Sequence, residues 1–381
     1  MTPDVSVLML DRIIDGNYQL LEELGRGSYG CLFLGQSLDT NQYVAVKVLS
    51  KAGLDTNQRT LQQLEIDIQS SLHHPYLLSI HQTTQDEDHI FMVMELCDQG
   101  DLFDFVIRDP LKLCDQSLVK TLFGQILQAI EHMHSNHVYH RDIKLENILL
   151  KCDDDDQYTC KVADFGLATR ERLSLEFGCG STTYLGPEHF DDEDNGDDEK
   201  EAEEFVPYDA AASDCWSLGI LLIALMFGRN PWEEATTMDP SYAEYIRDPL
   251  MLAHLFPTLS NGCLDFLISV LDVRPQDRPS VSAMRAAFMA LENLFEEEEF
   301  DDDLAPITIP TALKTQKASF DSAIFSGGAG YASGSWSDMV DEESEPLDYD
   351  PFESPLASSC TSLEEDTDMF VHSQEKESWW L

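Results

Sequence analysis

The amino-acid sequence predicts an α+β fold of two lobes, strands first and helices second. Two patterns carry that prediction. Residues 18–95 hold four short apolar-rich stretches, YQLLEEL, CLFLGQSL, YVAVKVL and FMVMEL, around one stretch of helical spacing near Leu61–Leu72. Residues 101–292 instead repeat apolar positions at i, i+3 and i+4, as in LVKTLFGQILQAIEHMH, the spacing of an amphipathic helix. A strand-rich lobe followed by a helix-rich one places a ligand cleft at their junction. The length of 381 residues suffices for both lobes, and a composition 43% hydrophobic supplies their cores.

Charge divides the chain further. Against 72 acidic residues stand 23 basic ones, a net charge of −49. Nucleic acids and anionic membranes need clustered Lys and Arg, so neither is an expected partner. The nine cysteines show no metal-type spacing, which suits reduced thiols in the cytoplasm or nucleus. No basic region precedes the apolar stretch of MTPDVSVLML, so a secretory signal is not expected. The apolar run Cys215–Phe227 falls short of the ~20 residues of a spanning helix and reads as a buried core helix. A soluble, intracellular and monomeric protein is the expectation. From Glu292 onward there are 23 acidic and 3 basic residues, so 293–381 reads as a disordered acidic tail opening with EEEEFDDD. Asp191–Glu204 reads as an acidic surface insertion, and Asp153–Asp156 as the tip of a hairpin.

The residues that carry chemistry follow in chain order. Gly25, Gly27 and Gly30 form G-x-G-x-x-G between two predicted strands. Glycines there let the backbone approach a polyphosphate, although a tight β-turn has the same composition. A dinucleotide-binding oxidoreductase would need a helix directly after the loop, and CLFLGQSL reads as a strand. Lys47 ends the apolar strand VAVK. A cation directed into a core costs several kcal/mol unless it is paired, and Glu65 on the helical stretch is a candidate partner. Read singly, Lys47 on an exposed edge strand stays open, and Glu65 alone reads better as a solvated helix-face residue. His140-Arg141-Asp142-Ile143-Lys144-Leu145-Glu146-Asn147 then groups an Asp, a Lys and an Asn in one loop. Such a set can orient a hydroxyl, neutralise a transferring phosphoryl group and hold a divalent cation. Asp164-Phe165-Gly166, seventeen residues after Asn147, offers a second oxygen ligand for Mg²⁺.

Taken in order, GRGSYG, VAVK, Glu65, HRDIKLEN, DFG, GPE (Gly186–Glu188), DCWSLG (Asp214–Gly219) and Arg278 resemble the eukaryotic protein kinase family. The resemblance covers residues 18–292. It implies a bilobal fold, a small N-lobe over 18–95 and a larger helical C-lobe over 98–292, with ATP between them. Gly25, Gly27 and Gly30 would cover the phosphates, and Lys47, paired with Glu65, would bind them. Asp142 would serve the substrate hydroxyl and Lys144 the γ-phosphate, while Asn147 and Asp164 would hold Mg²⁺. Leu24, Leu32, Ala45, Met94, Glu95, Cys97, Asp101, Glu146 and Leu149 complete the implied ATP site. Of these, Met94 aligns with the gatekeeper, Glu95 and Cys97 with the hinge that grips adenine, and Asp101 with a ribose contact. Ala45 and Leu149 align with the roof and floor of the base pocket. Glu188 and Arg278 match a structural ion pair.

Lys144 and Ser181 resemble the serine/threonine branch. The stretch Gly228–Leu252, with its preceding insertion, resembles fungal kinases of the meiosis-repressing Pat/Ran group and their nutrient-signalling relatives. Leu32 replaces the usual Val, and Gly186 the usual Ala, without touching a catalytic position. A pseudokinase scaffold working through the acidic tail is the alternative, but such proteins generally lose the counterparts of Lys47, Asp142 or Asp164. Asp101 and Glu146 match positions that read basic residues upstream of a phosphoacceptor. Where the activation segment usually carries a phosphoacceptor stands Phe177, and the adjacent Glu176 is expected to give Arg141 a permanent carboxylate. The histidines 132, 134, 137 and 140 are expected to be structural, and Cys152 and Cys160 to be free thiols.

Overall fold

The computed structural model describes residues 9–27, 30–153, 155–190 and 206–296. The acidic insertion 191–204, Ser28 and Tyr29 of the glycine loop and the chain from 297 onward lie outside the described residues.

The N-lobe is an antiparallel sheet of six strands, β1 (Ile13–Ile14), β2 (Tyr18–Gly27), β3 (Gly30–Ser37), β4 (Tyr43–Ser50), β5 (Ile80–Gln85) and β6 (His89–Glu95), in the order β1-β2-β3-β4-β6-β5. Alternation decides what each face carries. Val44, Val46 and Val48 of β4 point to the outer face, where Phe33, Phe91, Val93, Met9 and Ile14 pack with them. Ala45 and Leu49 point to the inner face, with Leu32, Met92 and Met94. Lys47 shares that inner face by the same period, and this directs its ammonium toward the second lobe.

Helix α1 (Thr56–Ser71) crosses behind the sheet. It starts five residues before the apolar pattern at Leu61 because Asp55 caps it: the Asp55 carboxylate accepts from Gln58 N, and the Gln58 side chain returns to the Asp55 N–H. The sequence patterns also miss β1 and β5. Two residues are too few to show a period, and β5 alternates weakly. Segment 9–14 is nonetheless built in, since Met9 is buried and Arg12 lies 5.2 Å over the Phe91 ring with Asp86 at 2.5 Å.

The C-lobe assembles around two long helices, α3 (Gln116–Ser135) and α4 (Ala210–Phe227). The latter begins at Ala210 rather than Cys215, N-capped by Asp209 and ended by Gly228 at φ 67°. At 18 residues it is apolar and long enough to cross a membrane by composition, yet 83% of it is buried inside the lobe. It is the axis of the core. Shorter helices α2 (Leu102–Arg108), α5 (Pro240–Arg247), α6 (Met251–Leu255), α7 (Asn261–Val270) and α8 (Val281–Met289) surround that pair, and Phe123 of α3 meets Phe288 of α8 at 4.7 Å. A hairpin, β7 (Ile148–Cys152) with β8 (Tyr158–Val162), underlies the cleft and turns at Asp153–Asp156 as expected.

The fold runs past the expected tail boundary at 293. Leu294 is fully buried, its N–H donating to Gln116 Oε1 and its carbonyl accepting from Ser260 N. The apolar residues Leu291, Leu294 and Phe295 precede the acidic run and dock against the core. Their burial extends the C-lobe core to Phe295.

Candidate active site

The inner sheet face and the β7–β8 hairpin meet in an apolar slot. Leu32, Ala45, Met94 and Cys97 from above and Leu149 and Ala163 from below form one buried cluster, with Leu24 packed against it. At its mouth β2 and β3 turn back on each other, pairing Gly27 with Gly30. A Cβ on Gly30 would stand 2.1 Å from the Val48 carbonyl oxygen, so only glycine lets β3 lie this close to β4.

Lys47 Nζ meets Glu65 Oε1 at 2.8 Å, joining β4 to α1. Burial opposes the Lys47 charge, but Glu65 and Asp164 outweigh it, and the pKa is raised. The pair the sequence left open is therefore formed, and α1 is swung in.

Asp142 lies below, in the loop between α3 and β7. Its Oδ2 accepts from Lys144 Nζ at 3.0 Å and Asn147 Nδ2 at 2.9 Å, and its Oδ1 from Ser181 N at 3.0 Å and Ser181 Oγ at 2.9 Å. Burial would raise its pKa, yet Lys144 and these hydrogen bonds hold it below the usual carboxylate value. It is an ionised carboxylate ready to accept a hydroxyl. The Asn147 amide nitrogen also donates to Asp142 O at 2.8 Å, so its carbonyl oxygen is left as the free end. Asp164 sits at φ 60° and accepts from Gly166 N. That strained left-handed backbone at a non-glycine residue is the kind held only by surrounding structure.

The residue that holds this loop opens the DCWSLG motif, to which the sequence alone assigns no role. Asp214 of α4 has no exposed surface, and it accepts from His140 N at 2.9 Å, Arg141 N at 2.8 Å and His134 Nε2 at 2.8 Å. A lone Asp directly before the largely apolar helix sequence CWSLGILL was the available signal for that role. His140 packs on Phe165 at 5.7 Å and bonds the Ala163 carbonyl, which ties the loop to Asp164. Glu95 is tied through its side chain to Lys161 at 2.8 Å and Lys151 at 3.3 Å, clamping the hinge to the hairpin. Asp101 spends a carboxylate oxygen capping α2 at Asp104 N and is 1% exposed.

A slot for an aromatic base, a glycine cradle, a paired lysine and an ionised carboxylate beside two oxygen donors form one cleft. The sequence matches the model of the protein kinase domain over residues 18–289. The chain belongs to the protein kinase family. It is of the serine/threonine type, and it is 32% identical over 298 residues to the negative regulator of sexual conjugation and meiosis of Schizosaccharomyces pombe, covering 75% of this chain and 63% of that protein. It is 33% identical over 279 residues to serine/threonine-protein kinase ksp1 of the same organism, covering 72% and 56%. An SNF-related serine/threonine-protein kinase of Rattus norvegicus is 32% identical over 278 residues, covering 72% of this chain and 34% of its own. The match thus spans less than two thirds of these relatives' length.

Membership of the kinase family implies ATP and a divalent metal. The donor set fits both, since the slot is apolar and the Asn147 and Asp164 oxygens suit a hard cation. The kinase's activation segment is locked from several sides. Arg141 donates to Glu176 Oε2 at 2.5 Å, to Ser174 Oγ at 3.3 Å and to the Leu167 carbonyl at 2.6 Å. Strand β9 (Leu173–Ser174) pairs with β10 (Tyr208–Asp209), and Arg172 bonds Asp209 at 2.8 Å. Glu188 meets Arg278 through two bonds of 2.6 and 2.7 Å. Gly186, in place of the usual Ala, has a reason here: a Cβ would stand 2.4 Å from a Glu188 carboxylate oxygen held by that pair.

Proposed function

We propose that this kinase transfers the γ-phosphate of ATP to serine and threonine hydroxyls of protein substrates, with Mg²⁺ held by Asn147 and Asp164. The observation that carries this reading is Asp142, half-buried, ionised and already bonded to one serine hydroxyl, Ser181 Oγ, at 2.9 Å. A substrate hydroxyl in the same place would be oriented by Asp142 and surrender its proton there. Lys144 stands within 3.0 Å of that carboxylate, where its charge offsets the negative charge developing on the phosphoryl oxygens. Lys47, fixed by Glu65, aligns the nucleotide phosphates. Mg-ATP supplies the transferable phosphoryl group and the charge that neutralises the leaving diphosphate. The direct test is transfer of labelled γ-phosphate to a peptide library. Nucleotide binding without any transfer would favour a scaffold instead.

The cleft favours substrates with Arg or Lys two to three residues before the acceptor. Glu146 lies on the turn after Lys144, and its Oε2 is buried without a hydrogen-bond partner. The buried Tyr184 hydroxyl is likewise unsatisfied. A substrate cation would relieve Glu146, whereas Asp101, with one oxygen on its helix cap, contributes field rather than contact. An array showing acidic or proline-directed preference would overturn this. The similarity to the negative regulator of sexual conjugation and meiosis supports a role in meiotic-development signalling; a share in fungal nutrient signalling, and action as a monomer in the cytoplasm, the nucleus or both, belong to the same proposal. Unchanged starvation and mating responses on deletion of the gene would overturn that placement.

A further inference from the structure

The acidic C-terminal segment contains one stretch of opposite character. From Leu304 to Phe320, LAPITIPTALKTQKASF, there is no acidic residue, and Lys314 and Lys317 are two of the only three basic residues after Glu292. EEEEFDDD ends immediately before it, and Asp321 follows it. Both lysines lie upstream of Ser319, at five and two residues before it. Thr315 has only Lys314 behind it, and Ser322 follows an aspartate, so neither hydroxyl matches as well.

The cleft complements this stretch. Glu146 presents a buried carboxylate oxygen without a hydrogen-bond partner, close enough to the catalytic loop to act on the Lys144 charge. Asp142 accepts a serine hydroxyl at 2.9 Å. The reach is sufficient as well. The described residues end at Glu296, and the 22 residues 297–318 would reach at most about 70 Å if fully extended, at ~3.3 Å per residue. A folded unit of this size has a radius of gyration of about 19 Å, roughly 50 Å across. Covalent attachment within that reach would give an effective concentration on the order of millimolar.

We propose that Ser319 is a phosphoacceptor of this chain's own active site, modified within the same molecule. The inference rests on the basic preference proposed above. Ser319 Oγ bonds the γ-phosphorus of ATP as the bond from that phosphorus to the β–γ bridging oxygen breaks. The electron pair of the broken bond leaves on ADP, and the hydroxyl proton passes to Asp142. The phosphate replaces a serine flanked by net positive charge with about −1.5 to −2 charges. The phosphate offsets the two lysine charges, so the segment falls to about zero net charge and loses its attraction to the acidic cleft.

Full-length protein, first stripped of phosphate, is incubated with labelled Mg-ATP alone and, separately, with lysine-rich histone. Mass spectrometry should place the label at Ser319, with a half-time unchanged by 100-fold dilution and no label in Asp142→Asn. The double change Lys314→Glu, Lys317→Glu should slow Ser319 labelling at least about tenfold through like-charge repulsion. It should leave the histone rate within about twofold. An enzyme active on histone but silent at Ser319, a labelling rate proportional to enzyme concentration, or indifference to the double change would overturn the proposal. Failure on histone as well would strike the kinase reading itself.

Discussion

Asp142 and Asp164 are carboxylates in one cleft with different tasks, and their surroundings separate them. Asp142 is enclosed by Lys144, Asn147 and Ser181, whereas Asp164 stands exposed on a left-handed backbone where a cation can reach it. Asp142→Asn is therefore expected to lower turnover by about 10²–10⁴-fold, the range that one positioned proton acceptor commonly contributes. Nucleotide affinity should stay within a few-fold, as read by titration calorimetry. Asp164→Ala should weaken Mg-ATP binding together with turnover. Loss of nucleotide binding in folded Asp142→Asn would reverse the two assignments.

The activation segment behaves as an element with its own internal supports. Its Arg141 anchor, elsewhere the partner of a phosphate, already has Glu176 at 2.5 Å. Phosphate-free protein, verified by mass, should consequently phosphorylate peptides without a lag. Glu176 is 42% exposed, so water screens the pair and its share is closer to 1 kcal/mol than to a buried ion pair's value. Glu176→Gln should slow turnover roughly three- to tenfold and leave ATP affinity unchanged. A lag cured by an upstream kinase would refute this. The same segment packs Phe177 against His189 and Tyr208, and His189 donates to or accepts from Ser213 Oγ at 2.8 Å. Burial pushes the His189 pKa down to about 4, with Glu188 opposing and Arg278 assisting. Unfolded histidine binds its proton near 6.5, so between pH 6.5 and about 4 the unfolded state holds more protons, and stability is lost as the pH is lowered through that window. Replacing His189 with Asn should flatten the melting temperature over that window, and an unchanged slope would remove His189 as the cause. Much of this element could be read in the sequence: Phe177 and Glu176 are identified by counting from Cys179 and Gly180. The β9–β10 pairing could not, because two-residue strands have no period and their partners lie across the insertion. Lys47 and Glu65 were ambiguous singly for a related reason: local pattern gives the face of a strand or helix but not what stands opposite.

At the scale of the molecule, the net charge of −49 and the packed end of the C-lobe make separate predictions. The charge draws basic peptides to the cleft, so kcat/KM for a Lys- or Arg-containing peptide should fall as salt rises, while an uncharged peptide changes little. Truncation tests where the folded unit stops. Leu294 is buried and held by Gln116 and Ser260, and Lys120 Nζ bonds the Leu291 and Glu292 carbonyls at 2.6 and 2.7 Å. A cut after Asn293 removes the Leu294 side chain from the core, a loss comparable to the ~2–5 kcal/mol of a buried Leu→Ala change. That is a large part of a domain's usual ~5–15 kcal/mol, so the melting transition should drop by several degrees. A cut after Leu304 keeps every described contact and removes polar, acid-rich sequence with little apolar area to bury. Its melting temperature should match the full chain's, as should its rate on an unrelated basic peptide once Ser319 of the full chain is phosphorylated. Equal melting of the two truncated forms would show that Leu294 contributes nothing to the fold. A lower melting temperature for the 304 truncation would place part of the tail in the core.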